Sequence, residues 1–346
     1  MPIIRFFVLA FVFFASGLLA PVSYGQNVIT HRFSQEELSD PWSLNTWSID
    51  SSSLILFRSD PGSRDLVQGI GNPDNSVNAD DLSYGTAYGF QLSVERQLTQ
   101  RTRFEARYFG TDDFSDSSSQ ATTPNQLFDP QLLDVGLPLP RLAGTSIRSR
   151  LASKLYSFEL NMNHDLTENI EAIAGFRYVR LKDNLSLNVP DASIPIIGIP
   201  VPTSLETEAS NDLFGAQLGA RANLLNTSRF SLITDFKGGI YGNGARQRSS
   251  VVATTVLGDA VSTANDRNDT VAFVGEWTLQ GNYRLTERWS VDLGYQLLWI
   301  DGVAVGTEQL AASNYSFPII GGPGNGIDSY DHVFYQGILL GVDYTW

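Results

Sequence analysis

Gly337-Ile338-Leu339-Leu340-Gly341-Val342-Asp343-Tyr344-Thr345-Trp346 alternates along its whole length. Ile338, Leu340, Val342, Tyr344 and Trp346 form one continuously apolar face that closes on two aromatics. The intervening Gly337, Leu339, Gly341, Asp343 and Thr345 are mostly small or polar. Successive side chains of a strand point to opposite faces, so the segment reads as a strand with lipid on one side and a polar interior on the other. A soluble domain has little reason to end on an exposed Trp beside a Tyr.

An internal repeat extends this reading backwards. Four times a strand-like segment meets a short polar turn and the chain starts back at once: Leu98-Thr99-Gln100-Arg101, Leu166-Thr167-Glu168-Asn169, Leu225-Asn226-Thr227-Ser228 and Leu285-Thr286-Glu287-Arg288. An aromatic follows each, at Phe104, Phe176, Phe230 and Trp289. The connections between these turns are much longer and rich in Asp, Ser, Pro and Gly. Short turns alternating with long loops mark an up-and-down antiparallel transmembrane β-barrel, its short turns in the periplasm and its long loops outside the cell. Counting on that template places strands at 46–58, 84–97, 102–110, 148–163, 170–182, 208–224, 229–247, 269–284, 288–302 and 331–346, about ten, with eight to twelve as the range. An even count puts both ends of the barrel on the periplasmic side.

The amino-terminal segment fits that compartment. Arg5 precedes an almost unbroken apolar run from Phe6 to Ala20, and Ser23-Tyr24-Gly25 offers small residues for cleavage. The run is short for a membrane-spanning helix. Residues 1–25 are therefore expected to be a signal peptide, 26–45 a periplasmic segment and 46–346 the barrel. Ser34-Gln35-Glu36-Glu37 could cap one short helix before it. The chain has no Cys, which excludes disulfides, thiol nucleophiles and thiolate metal sites. Its net charge of −14 argues against nucleic-acid partners, which select a basic face.

Alternation assigns the interior. Glu95, Glu105, Arg107, Glu159, Glu171, Arg177, Arg221, Asp235, Lys237, Glu276, Asp292 and Asp343 fall on lumen-facing positions. Charges of both signs at comparable depth read as a salt-bridged filling, and ten strands lie close to the eight at which side chains alone fill a barrel. A plugged or barely conducting bore is thus favoured over an open general porin. Tyr156, Phe230, Trp289, Trp299, Tyr344 and Trp346 are expected to lie in the aromatic girdles at the two membrane interfaces. Ile338, Leu340, Val342, Tyr344 and Trp346 resemble the carboxy-terminal assembly signal of bacterial outer-membrane barrels. That signal implies recognition by the barrel-assembly machinery and periplasmic chaperones, with outer-membrane lipid around the finished barrel. A homo-oligomer is left open.

The loops carry less chemistry. Asp112, Asp113, Asp116, Asp129 and Asp134 dominate the 111–147 connection, but no calcium-loop spacing is present, and a solvated acidic surface is expected. Two apolar, Pro-punctuated runs, 194–202 and 317–323, are expected to pack on the barrel itself. His31, His164 and His332 are too scattered for a metal site. His332 beside Asp331 is the one surface-hydrolase candidate, and neighbours in a strand point apart. No catalytic residue, cofactor or metal is assigned.

The stretch 288–311, from Arg288 through Trp289, Tyr295 and Trp299 to Ala311, is similar to the penultimate strand and following loop of the seventh "putative β-barrel porin" family of outer-membrane proteins from planctomycete-type bacteria. Ser53-Leu54-Ile55-Leu56-Phe57-Arg58 is similar to that family's opening strand. The resemblance covers 46–346 and implies an exported outer-membrane barrel, with no catalytic residues. The expected function is a narrow channel for small solutes or ions. The alternatives are a non-conducting structural or surface-interaction barrel and, behind both, a surface hydrolase.

Overall fold

The computed structural model describes residues 46–62, 65–67, 77–121, 146–191, 193–194, 199–256, 258–312, 327 and 331–346. The signal-peptide reading of 1–25, the capping box at 34–37 and the apolar run 317–323 lie outside these residues. The elements are β1 (Trp47–Arg58), β2 (Asp65–Val67), β3 (Val77–Asn78), a single 3-10 turn (Ala79–Asp81), β4 (Thr86–Thr99), β5 (Thr102–Thr111), β6 (Phe114–Ala121), β7 (Ser146–Asp165), β8 (Ile170–Val189), β9 (Ser193–Ile194), β10 (Ile199–Pro200), β11 (Thr203–Asn226), β12 (Phe230–Thr255), β13 (Gly258–Arg284), β14 (Trp289–Val303), α1 (Gly306–Ala312) and β15 (Asp331–Thr345).

Ten of these strands close a ring in the order β1, β4, β5, β7, β8, β11, β12, β13, β14, β15. Every neighbouring pair is antiparallel, and β15 returns to β1 from Ser48 opposite Thr345 to Arg58 opposite Tyr335. Closure follows from the solvent. Lipid offers no partner to a backbone N–H or C=O, so only a sheet without edges can cross it. At the seam the amide N–H groups of Trp47 and Trp346 each donate to the other residue's carbonyl, at 3.2 and 3.1 Å.

The four polar turns close by one repeated device. Thr167, Thr227 and Thr286 Oγ1 accept backbone N–H bonds from Ile170, Phe230 and Trp289 at 3.0–3.1 Å. Thr99 Oγ1 accepts from Arg101 N–H at 3.3 Å. A threonine hydroxyl that satisfies a turn's free amide is why Thr recurs there.

The outer connections depart from the expected lengths. The segment 248–268 is not a loop. β12 and β13 stay paired out to Thr255 opposite Gly258, and β8 and β11 likewise pair to Val189 opposite Thr203. Small and polar residues on both faces resemble loop composition, yet a ribbon standing clear of the membrane needs no apolar face because its backbone bonds hold it. Within 111–147, β6 pairs with the outer half of β7 and carries on past the break at Asp112-Asp113. In the 194–202 run, Ile194 pairs with Ile199, and Val201 is buried.

Side chains sort by parity. The outer face exposes Tyr88, Phe176, Phe214, Leu218, Ile240 and Leu340, several at 60 % or more. Exposed apolar area of that extent is stable only against lipid. The inner face is not polar throughout. Towards the loop end Leu54, Leu56, Leu151, Leu155, Leu181, Leu185 and Leu298 bury against Phe109, Phe114, Tyr241 and Tyr335. Ala79, Leu82 and Tyr84 from the β3–β4 connection and Val303 and Val305 ahead of α1 belong to the same core. The expectation of a polar interior therefore holds for the turn-side half and is corrected for the loop-side half, where inserted segments make a small apolar core.

Candidate functional site: the barrel interior

The centre of the bore is a five-residue charge cluster contributed by five strands. Glu159 (β7) and Glu276 (β13) face Arg107 (β5), Arg177 (β8) and Lys237 (β12), all nearly inaccessible to solvent. Lys237 Nζ lies 2.8 Å from Glu159 and 3.1 Å from Glu276. Arg177 lies 2.8 Å from Glu276 and 3.6 Å from Glu159, and Arg107 lies 3.2 Å from Glu159 and also pairs with Glu276. Neutral groups finish the shell. Gln217 and Asn161 donate to Glu159 at 2.8 and 3.1 Å, Gln91 accepts from Arg107 at 2.7 and 3.1 Å, and Ser157 accepts from Arg177 at 2.9 Å. Desolvated charges are tolerated only when paired and hydrogen-bonded in this manner.

Towards the turns, Arg221 gathers four carboxylates. It grips Asp235 with two bonds of 2.9 and 3.0 Å and approaches Glu95, Glu105 and Glu171 at 3.3, 3.6 and 3.7 Å. The planar guanidinium suits such a shared role. Arg103, absent from the sequence assignment, adds a 2.6 Å contact to Glu171. A third set lies beside the seam, where Asp50 (β1), Asp343 (β15) and Asp292 (β14) each bring a carboxylate oxygen within 4.8 Å of the others. Gly341 makes room for them, since a Cβ there would stand 2.5 Å from Asp292 Oδ1 and closer still to Ser52 Oγ.

The loop-side core has one polar knot. Asp183 (β8) pairs with Arg58 (β1) through both oxygens, one bond measuring 2.9 Å, and accepts from Tyr84 Oη–H at 2.9 Å and Gly306 N–H at 3.3 Å. The Arg58 guanidinium sits 3.7 Å over the Tyr84 ring. Asn211 holds Ala304 from both sides, donating to its carbonyl at 2.7 Å and accepting its N–H at 2.8 Å. One aspartate thus ties a strand on each side of the ring to both inserted segments.

The structure places all twelve lumen-assigned charges on the inner parity, and it resolves them into three groups. Glu159, Glu276, Arg107, Arg177 and Lys237 meet at the centre; Glu95, Glu105, Glu171, Arg221 and Asp235 meet below it; Asp292 and Asp343 join Asp50. Sequence reasoning missed Asp50, Arg58, Arg103 and Asp183. Parity alone could have found Asp50, Arg58 and Arg103, which lie within expected strands, whereas Asp183 lies one residue beyond the expected strand end. Trp289, Trp346 and Phe230 are exposed on the outer face, and Tyr156, Trp299 and Tyr344 are partly covered there. Trp289 packs tilted against Tyr344 with ring centroids 4.6 Å apart, and Tyr344 stacks on Trp346 at 5.6 Å. Ile338, Leu340 and Val342 are exposed in the same file. His164 accompanies Thr102 at 3.0 Å near a turn, and His332 is exposed beside Asp331 at 3.6 Å. His31 lies outside the described residues.

The family model described as "Putative beta barrel porin-7" matches residues 48–346. No curated protein matches the chain. Among solved structures, the outer membrane protease OmpT from Escherichia coli is similar at 11 % identity over 87 % of this chain and 97 % of that one, with a TM-score of 0.43. A FadL homologue of Pseudomonas aeruginosa is similar at 9 % identity, covering 90 % and 93 %, with a TM-score of 0.29. A major outer membrane protein from Thermus thermophilus is similar at 11 % identity, covering 87 % and 99 %, with a TM-score of 0.31.

Proposed function

The chain belongs to the family described as "Putative beta barrel porin-7", and from that premise we propose that it is an outer-membrane barrel closed by its own side chains. In this reading it serves the cell surface as a non-conducting barrel without catalytic activity. The observation that carries this is the pair of stacked closures inside the ring, the buried five-charge cluster and the loop-side core above it. Water-filled bores belong to much wider barrels, and ten strands leave room for little beyond these side chains. Residues 1–25 act as the export leader in the same proposal. The exposed file from Ile338 to Trp346 serves assembly, and the outward aromatics mark the lipid interfaces. Purified barrel reconstituted in a planar bilayer should give no current steps above the lipid background. Reproducible unitary steps from the unmodified protein would sink the proposal.

A second reading has its own support. The Asp50–Asp292–Asp343 set, the Arg221 group and the central cluster are three charged groups on the inner face of one ring, and the loop-side core rests on inserted segments rather than on strands alone. A narrow ion path gated by those segments fits this arrangement. Steps that appear only when the Asp183 knot is broken would favour it over the permanently closed barrel.

A further inference from the structure

The outward face of β7, β8, β11, β12 and β13 carries a charged set that the closed bore does not use. Register places Lys154 opposite Lys182, Lys182 opposite Ser210, Ser210 opposite Arg246 and Arg246 opposite Arg267. These five positions form one row, on the outer parity of every strand. On each strand the row stands two to six residues beyond a large outward-facing residue of the apolar band: Tyr156, Tyr178, Phe214, Ile240 and Val271.

Like charges directly opposite one another have Cβ atoms about 5 Å apart and destabilise a sheet. This row contains two such pairs. Lys154 and Arg267 each have an exposed acid at hand, Asp113 at 3.2 Å and Asp269 at 3.4 Å. Lys182 and Arg246 form no ion pair among the described residues. Over the five consecutive rows from Arg148 to Arg180, this face holds eight of the chain's 23 Lys and Arg. It holds four acids, Glu206, Glu208, Asp212 and Asp269. A cationic excess of this kind, in a chain of net charge −14, is concentrated where the apolar band gives way to polar surface.

We propose that this row, together with Arg248 one outward position further along β12 and opposite Glu208, binds the phosphates of anionic lipid head groups in the outer leaflet, with Lys182, Arg246 and Arg248 as the central ligands. Acyl chains lie along Phe176, Phe214 and Ile240, and the phosphates meet the cations six to eight residues further along the strands, past the Arg180–Asp212 pair at 3.5 Å, neutralising the opposed pairs. Arg adds a planar donor fork matched to phosphate. Four strand-to-strand steps of about 4.8 Å give the row a length of roughly 20 Å, so it meets several head groups rather than one. The inference rests on the outer-membrane barrel reading, and it specifies which lipid chemistry the outer face selects.

The test uses the full-length barrel refolded in detergent, with native mass spectrometry counting bound lipid. The probes are lipid A, phosphatidylcholine, and inorganic phosphate at matched phosphate concentration. Lipid A should be retained and phosphatidylcholine should not. Each cation near a charged lipid surface is worth about fivefold in affinity, so the triple variant Lys182→Gln, Arg246→Gln, Arg248→Gln should lose about a hundredfold. Arg284→Gln, a cation at the turn end, should lose nothing. Undiminished lipid A on the triple variant overturns the assignment. Displacement of lipid A by inorganic phosphate at equal concentration overturns the lipid specificity. Heat-modifiable gel mobility on the same samples separates the two levels, because its absence from the unmodified chain would fail the barrel reading itself.

Discussion

Replacing Asp183 with Ala removes one carboxylate and disturbs three partners at once. Arg58 loses both its bonds while remaining almost wholly buried. The Tyr84 hydroxyl and the Gly306 amide lose their acceptor. Stripping one partner from a buried ion pair costs about 3–5 kcal/mol, because the survivor is left charged and desolvated. An orphaned hydroxyl adds about 1–3 kcal/mol, partly overlapping with the first figure. A loss of about 4 kcal/mol is therefore expected, read from urea unfolding in detergent micelles by Trp fluorescence. The double variant Arg58→Leu, Asp183→Leu should recover most of it, since an apolar pair in an apolar site is often close to neutral. Limited proteolysis should also cut near residues 79–84 and 304–307 in Asp183→Ala before the barrel itself is cut. A loss under about 1 kcal/mol, well below the range for a broken buried pair, or a double variant no better than the single, would mean that Asp183 does not hold the loop-side core together.

Three further substitutions probe other parts of the interior. Glu276→Gln leaves Arg107, Arg177 and Lys237 around the single carboxylate of Glu159, and should cost about 3–5 kcal/mol; adding Lys237→Met should restore part, and no restoration would argue against mutual neutralisation. Asp292→Asn removes one of three clustered carboxylates and should raise stability at neutral pH by about 1 kcal/mol; a fall in the urea midpoint contradicts this. Gly302 has φ +80 and a Cβ there would lie 2.6 Å from the Val271 carbonyl oxygen. Gly302→Ala should therefore cost about 1–3 kcal/mol, and an unchanged melting temperature would show that the bulge between Asp301 and Val303 is not constrained there.

Much of the fold was legible because lipid imposes a strict rule on strands. Alternation in 84–97, 148–163 and 288–302 predicted β4, β7 and β14 to within two residues at either end, and the Leu-Thr turns marked where each hairpin reverses. Legibility failed beyond the membrane. There neither face must be apolar, so Arg248, Ser249 and Ser250 read as loop although they lie in β12. The site followed the same division. Glu159, Arg177 and Glu276 were assigned inwards by parity, while Asp183 was lost with the outer half of β8.

Sequence alone determined the barrel class, the approximate strand count and which side chains point inwards, because a period of two and a lipid face constrain each strand separately. It also marked the turns, where a threonine hydroxyl satisfies local amides. Only the tertiary structure decided which inward charges meet. Arg107, Glu159, Arg177, Lys237 and Glu276 span 169 positions of sequence, and their convergence depends on ring closure, register and strand order. The loop-side core was likewise decided in three dimensions. Val305 and Gly306 carry no periodic signal, and Tyr84 shares the outward parity of Tyr88 although it is buried ahead of β4; they close the bore because Asp183 and Asn211, on strands that the ring brings beside them, supply the partners that the polar groups of these inserted segments need.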